Sequence, residues 1–472
     1  MTAALPTPMT ESGTVMFTEA VPSIAPERRE LLSGAIGIAA LLILHGLLGV
    51  AVQRFSTIAA MHAIVALGWG LVAAIRRDRM TTACAAAYIA GAEVLWRMVQ
   101  APIPWQFGSY AICLVLGIAV LRTRQIQWRI VPLLYFMFLI PSIGVRLIDP
   151  ALSSYSVIQG VREYLPAPLV LALTVWFCSQ ISVTAGQFRR ILLAFIAPCV
   201  AAAAVTLLAT YLGGDITFTD DSNFITSNGF GPNQVSAALG LGALLSLLYA
   251  VGPEVRRGLR WMFIVVIMVL AVQATMTFSR GGLYAFTIAS ALALPFLVAD
   301  QRSRRHVFLV LTVVGASGVL VVLPRLDRFT SGALSDRLQD TNPTRRGDLL
   351  RDDLLIWEHH PILGVGPGGT RMNRETARGP GHTEYTRLLA EHGAFGFAAL
   401  VLLLGMAALA IFRSGSAWST GVRVALVAGS MLSMGTAAMR IAAFGFLFGL
   451  AHTAFCTPTS EGRSRKRSDI SP

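Results

Sequence analysis

The sequence predicts an all-α protein: a polytopic membrane bundle of about 12–14 helices with one large loop on the outer side. Three observations predict it. The 472 residues are 54% hydrophobic and 13% charged, with a mean hydropathy of +0.64, more apolar surface than a soluble domain can bury. Apolar runs of bilayer-spanning length recur along the chain. Arginines fall in every second connection between those runs. Together these exclude soluble enzymes, nucleic-acid binders and secreted disulfide scaffolds. The net charge of +13, from 38 basic and 25 acidic residues, bears on orientation in a bilayer rather than on nucleic acid.

Taken in order, the apolar segments lie near 31–52, 57–75, 80–99, 107–121, 128–147, 166–184, 190–211, 233–251, 260–278, 282–299, 306–323, 393–412, 424–438 and 441–455, fourteen in all. The segment at 80–99 carries Glu93 and Arg97, and that at 424–438 is short; without either one the termini would lie on opposite sides. Alternate connections carry Arg76, Arg77 and Arg79; Arg122, Arg124 and Arg129; Arg189 and Arg190; Arg256, Arg257 and Arg260; Arg302, Arg304 and Arg305; and Arg413 and Arg423. By the positive-inside rule these face the cytoplasm, as do both termini. The expected organisation is a cytoplasmic tail at 1–30, a membrane bundle at 31–323, a large outer or periplasmic loop at 324–386, further spans at 387–456 and a basic cytoplasmic tail at 457–472. The first 30 residues lack the early basic region and apolar core of a cleavable signal peptide, so the N-terminus is expected to be retained. No repeat is visible. Cys84, Cys113, Cys178, Cys199 and Cys456 all lie in apolar runs, and neither a disulfide framework nor a zinc site is implied.

Several residues do not fit a passive anchor. Arg280, in the run Thr277-Phe-Ser-Arg-Gly-Gly282 where the ninth span turns into the tenth, reads in two ways. It is an interfacial arginine snorkelling to headgroups, or an anion ligand whose guanidinium grips phosphate through two parallel hydrogen bonds. Glu93 and Arg97 stand four apart on one helix face and read better as an ion pair than as a substrate contact. In the large loop, Leu350, Leu354 and Trp357 share one face with charges opposite, which predicts an amphipathic helix along the membrane surface with Asp348 as its N-cap. Gly364, Gly366 and Gly369 match a dinucleotide-binding pattern, but no strand precedes them, so a rigid turn is expected, whose amides are candidates for an anion. His382 opens the run His-Thr-Glu-Tyr-Thr-Arg-Leu-Leu-Ala-Glu-His-Gly393. It is either incidental to a polar helix start, with Arg387 and Glu391 paired four apart, or a base kept neutral by the helix N-terminus.

The runs Ser279-Arg-Gly-Gly282, His360-Pro-Ile-Leu-Gly-Val-Gly-Pro-Gly368 and His382 to Gly393 together resemble the O-antigen ligase and O-antigen polymerase superfamily. So do Asn228-Gly-Phe-Gly-Pro-Asn233 and Glu93-Val-Leu-Trp-Arg-Met98, over roughly residues 80–400. The resemblance implies a glycosyltransferase of the bacterial cytoplasmic membrane acting on its outer side. Such an enzyme takes a glycan from undecaprenyl diphosphate and passes it to a hydroxyl on lipid A core or on another glycan, with no metal or other cofactor. Arginines hold the diphosphate and a loop histidine acts on the acceptor. Carried over, His382 is catalytic with Glu384 orienting it, and Arg280 binds the diphosphate. Arg162, just before the sixth span, or the pair Arg345 and Arg346 supplies the second cation. Expected partners are the lipid-linked donor, the acceptor, the bilayer and other polysaccharide-assembly proteins, but no nucleic acid. Competing readings are a flippase or transporter for lipid-linked sugars and a non-catalytic assembly protein.

Overall fold

The structure, a computed structural model, describes residues 25–123, 130–148, 154–214, 216–219, 221–339, 346–374 and 383–456. They form an all-α bundle. The first half comprises α1 (Ala25–Arg54), α2 (Ser56–Ile75), α3 (Arg79–Met98), α4 (Phe107–Leu121), α5 (Ile130–Met137), α6 (Ile143–Ile148), α7 (Ser154–Tyr164), α8 (Pro166–Cys178) and α9 (Ala185–Leu212). Then follow α10 (Pro232–Val251), α11 (Arg257–Met276), α12 (Arg280–Ala299) and α13 (Arg304–Ser317), which runs through a π-helical turn at Gly318–Val322 into α14 (Leu323–Phe329). The widened turn sits just before Pro324, whose ring would clash with a regular helical turn. Shorter helices α15 (Ala333–Gln339), α16 (Arg346–His359) and α17 (Thr370–Asn373) lead to α18 (Glu384–Ile411), α19 (Ala417–Ala437) and α20 (Ala442–Leu450).

Local sequence sets the helix starts. Asp78 accepts hydrogen bonds from Thr81 N at 3.0 Å and Thr81 Oγ1 at 2.6 Å to cap α3, and Thr184 with Gln187 forms a reciprocal capping box on α9. Pro166 and Pro232 occupy first-turn positions of α8 and α10, where no N–H is needed. At the centre stands α10, buried along its whole length. It touches α12 backbone to backbone: a Cβ on Gly240 would lie 2.2 Å from Gly282 O. Two-residue strands after α8 and α20, β1 (Ser182–Val183) and β2 (Ala454–Phe455), pair in parallel. The short helix α20 therefore runs alongside α8 in the same direction.

Nine helical stretches among the described residues are long and apolar enough to cross a membrane, and the chain is a multi-pass membrane protein. The segments expected at 80–99 and 424–438 form the full-length helices α3 and α19. They are less apolar because they face other helices: 15 residues of α3 are buried, Glu93 and Arg97 among them. Two expected spans are not continuous helices. The 128–147 segment breaks between α5 and α6 around Pro141, a residue that cannot continue the hydrogen-bond ladder. The 441–455 segment is helical only through α20 and finishes in β2.

The expected pair closes at 2.6 Å between Arg97 Nη2 and Glu93 Oε1, with both side chains buried. Removing one partner of such a pair strands a charge in an apolar interior, which costs about 3–5 kcal/mol. Glu93→Ala should therefore lower the thermal unfolding midpoint in detergent sharply, whereas Glu93→Gln should recover part of the loss; an unchanged midpoint in Glu93→Ala would show that the pair carries no stability.

Candidate active site

The connection between α19 and α20 is the structural crux of the bundle end opposite the Arg76–Arg79 turn. Ala438 adopts a positive φ of 50°, and the break leaves backbone groups that an apolar interior cannot solvate. Two buried glutamates satisfy them. Glu384 Oε2 accepts from Met439 N at 3.0 Å, and Glu93 Oε2 accepts from Ala442 N at 2.6 Å. Each glutamate is neutralised in turn. Arg97 bonds Glu93, Gln106 Oε1 at 2.7 Å and Gln234 Oε1 at 3.1 Å, and donates to Arg440 O at 2.8 Å. Arg387 lies between Glu384, which it grips with Nε and Nη2, and Glu391, which it reaches at 2.6 Å. Its guanidinium stands 5.3 Å from the centre of the Tyr164 ring.

The long helix α18 starts with Thr383 Oγ1 accepting from Tyr385 N at 3.2 Å and kinks at Gly393, whose φ of 57° and ψ of −134° suit glycine alone. The glycine-rich turn fills this kink. Val365 N and Gly366 N donate to Ala390 O at 3.0 Å and Glu391 O at 2.9 Å, so these two amides serve the helix rather than an anion. A Cβ at Gly364 would fall 2.4 Å from Glu391 C. Thr370 Oγ1 donates to the second Glu391 oxygen at 3.1 Å, so the loop and the arginine cluster share one carboxylate.

Contrary to expectation, α16 is anchored by charge. Asp348 is the third residue of the helix rather than its N-cap. Leu350 and Leu354 are exposed, while Leu349, Ile356, Asp352 and Asp353 are buried. Alternation read from sequence assigned the charged face to solvent. Arg374 inverts that assignment: its Nε and Nη2 bond Asp353 Oδ1 at 2.9 and 2.6 Å, and Thr386 Oγ1 donates to Asp353 Oδ2 at 2.9 Å. Burial pushes the Asp353 carboxyl above the ordinary range against the downward pull of Arg374.

Arg280 is the first residue of α12. A Cβ at the next residue, Gly281, would meet Thr436 Oγ1 at 2.8 Å, so Arg280 enters the bundle beside the end of α19, a few residues before Arg440. Phe278, at a positive φ of 57°, turns the chain here, and its carbonyl accepts from the buried Arg337 of the large loop at 3.2 Å. Arg280 Nη1 reaches Arg337 O at 3.4 Å. The Asn228–Asn233 run completes this end: Asn228 Nδ2 donates to Met98 O at 2.7 Å, and Ser279 Oγ donates to Asn233 Oδ1 at 2.7 Å.

Of the residues singled out from sequence, the structure gathers Glu93, Arg97, Arg280 and Glu384 at one end of the bundle. Glu384 is buried, and its two oxygens are taken by Arg387 and Met439 N. Arg162 is exposed at the end of α7, where its carbonyl accepts from Tyr110 Oη at 3.2 Å. His382 and Arg345 lie outside the described residues, as does the side chain of Arg346. Sequence reasoning missed Arg371, Arg374 and Arg440. Arg440 interacts electrostatically with Arg371, Arg374 and Arg387, and with Tyr164. Among the described residues no group of three or more His, Cys, Asp or Glu side chains is placed to hold a metal ion.

Residues 263–401 match the O-antigen ligase family. The resemblance read from short motifs therefore holds across α11 to α18, which include Arg280, Arg337, the glycine-rich turn and the Glu384–Arg387–Glu391 cluster. Glu93, Arg97 and Arg440 lie outside the match; of these, Arg440 interacts electrostatically with Arg371, Arg374 and Arg387 inside it. A search of curated proteins returned no match. In the O-antigen ligase segment the kink at Gly393 couples the loop to the arginine cluster. Gly393→Ala places a Cβ 2.5 Å from Ile362 C in a backbone conformation alanine avoids. We expect this variant to release the 360–374 turn, read as faster limited proteolysis there; an unaltered cleavage pattern would show that the turn holds without the glycine.

Proposed function

We propose that this O-antigen ligase-type membrane protein is a glycosyltransferase that moves a glycan from undecaprenyl diphosphate to an acceptor hydroxyl on the outer face of the bacterial cytoplasmic membrane, with both termini in the cytoplasm. The observation that carries this reading is the convergence, within and around the family-matched segment, of Arg280 with the arginine–carboxylate cluster at the head of α18. A family of this kind acts on lipid-linked glycans and acceptors in a membrane, and this end of the bundle offers fixed cations to an anionic lipid.

The chemistry needs little more. The donor carries its own leaving group, whose developing charge fixed guanidinium groups stabilise in a site of low dielectric. The acceptor hydroxyl is a weak nucleophile and needs positioning and a base. Arg280 binds the diphosphate, joined by Arg162, Arg345 or Arg346, and Arg440 in the broken connection is a further cation of the same end. His382, two positions before the helix-opening Glu384, accepts the proton of the acceptor hydroxyl as its oxygen attacks the anomeric carbon and the bond to the diphosphate breaks. A single displacement inverts that carbon, because nucleophile and leaving group occupy opposite faces.

The deciding experiment supplies purified protein with undecaprenyl-diphosphate glycan and acceptor, without metal or nucleotide. Free undecaprenyl diphosphate and an inverted linkage are expected; folded protein that releases none is a transporter or an assembly scaffold. His382→Ala should slow transfer by about 10²–10⁴-fold with donor binding and thermal midpoint retained, and parallel loss of folding would make the histidine structural. Arg280→Ala should weaken donor binding, while Arg280→Lys restores it only partly because the two-pronged contact is lost; full activity of either variant removes Arg280 from the site. Offering lipid A core or a second lipid-linked repeat unit as acceptor separates a ligase from a polymerase.

A further inference from the structure

The end of the bundle opposite Arg280 holds a basic cavity of its own. It opens between the α2–α3 turn and the end of α4, has a volume of about 210 Å³ and is lined by Arg77, Arg79 and Arg122 with Thr82, Thr123 and two alanines. That is roughly fifteen times the space one water needs. Three guanidinium groups from two separate connections converge on it, and no carboxylate lines it. Asp78, in the same turn, is spent on the α3 cap, where both its oxygens accept from Thr81. The threonine hydroxyls are spent as well, donating to Asp78 O at 2.7 Å and to Ala119 O at 3.0 Å. Arg79 Nη1 donates to Gln180 O at 3.1 Å, and among the described residues the Arg77 and Arg122 side chains have no acceptor. The cavity is therefore rich in donors and positive charge that the protein leaves unanswered.

Arg77 stands at a φ of 60°, a left-handed position after a helix end that glycine fills without strain. The backbone alone favours glycine there; what the arginine adds is its charge. The C-termini of α2 and α4 carry only fractional negative charge, too little to neutralise three guanidinium groups. An anion with several acceptor oxygens is the complement, and phosphate fits the guanidinium fork. The surroundings say how it arrives. Val72, Ile75 and Leu121 are exposed beside the cavity, where α2 and α4 end, and in a multi-pass membrane protein such side chains meet acyl chains. A zwitterionic headgroup would bring an ammonium that the lining cannot hold, since it offers neither an acid nor an aromatic ring.

We infer that this cavity binds the phosphate of an anionic glycerophospholipid from the leaflet at the Arg76–Arg79 end of the bundle. Arg77 and Arg122 share the phosphate oxygens, and Arg79 adds its remaining donors. The lipid then bridges the α2–α3 turn and α4, which fixes the start of the helix whose other end carries Glu93 and Arg97. The site lies apart from the proposed transfer reaction and does not depend on it.

The test titrates full-length protein in neutral detergent with phosphatidylglycerol, phosphatidylcholine and inorganic phosphate, reading bound lipid by native mass spectrometry together with the thermal midpoint. Phosphatidylglycerol should bind and raise the midpoint, and the other two should do neither at the same concentration. The double variant Arg77→Gly, Arg122→Gln should keep the lipid-free midpoint, because glycine suits the turn, and bind phosphatidylglycerol about thirtyfold more weakly, at roughly fivefold per arginine. Should its midpoint fall, Arg122→Gln alone, at an exposed helix end, reads the loss as about fivefold. A charge-matched control, Arg302→Gln with Arg305→Gln at exposed positions of the α12–α13 connection, should bind as the parent does. Equal weakening in the control reduces the effect to diffuse surface charge and overturns the cavity, as does equal binding of phosphatidylglycerol by the parent and the double variant. Inorganic phosphate that raises the midpoint as far as phosphatidylglycerol overturns the lipid, and phosphatidylcholine that binds as tightly overturns the selection for an anionic headgroup.

Discussion

A helix broken inside an apolar bundle exposes N–H groups that neither lipid nor hydrocarbon side chains can satisfy, and the far end of this protein is organised around that constraint. Glu384 and Glu93 accept from the backbone on either side of the α19–α20 connection. An unpaired carboxylate there would cost more than the break it repairs, so each acid is buried with an arginine. Arg97 and Arg387 in turn have more donors than one carboxylate can absorb. The surplus reaches Gln106, Gln234, Glu391 and Arg440 O, tying α3, α10, α18 and the start of α4 to one connection.

The same logic with reversed polarity shapes α18. Its kink at Gly393 frees carbonyls, and the glycine-rich turn returns N–H groups from Val365 and Gly366 to fill them. Because Glu391 belongs both to the kinked helix and to the Arg387 cluster, and also accepts from Thr370, the large loop is connected to the helix break through one side chain. The site is thus built from backbone irregularities that the bundle has to satisfy.

Much of this was legible in the sequence. The all-α membrane class follows from composition, and Glu93 and Arg97, or Arg387 and Glu391, pair as their four-residue spacing predicts because a helix fixes that geometry locally. Other features were not legible. The spacing of Leu350, Leu354 and Trp357 defines an apolar face of α16, yet the buried face carries Asp353, because its partner Arg374 comes from a turn some twenty residues away. The glycines of 364–369 announce a tight turn without naming the helix it fills. Arg440 sits alone between two apolar runs, and only the break of α19 gives it neighbours.

By itself the sequence determined the solvent of this protein, the periodicity of its helices and the ion pairs within a single helix, since hydrophobicity and i, i+4 geometry act over one turn or one span. Tertiary structure decided which buried acid serves which helix end and which arginines meet across the bundle. Those outcomes depend on contacts between residues up to 349 positions apart, which packing of the whole bundle sets and no local pattern encodes.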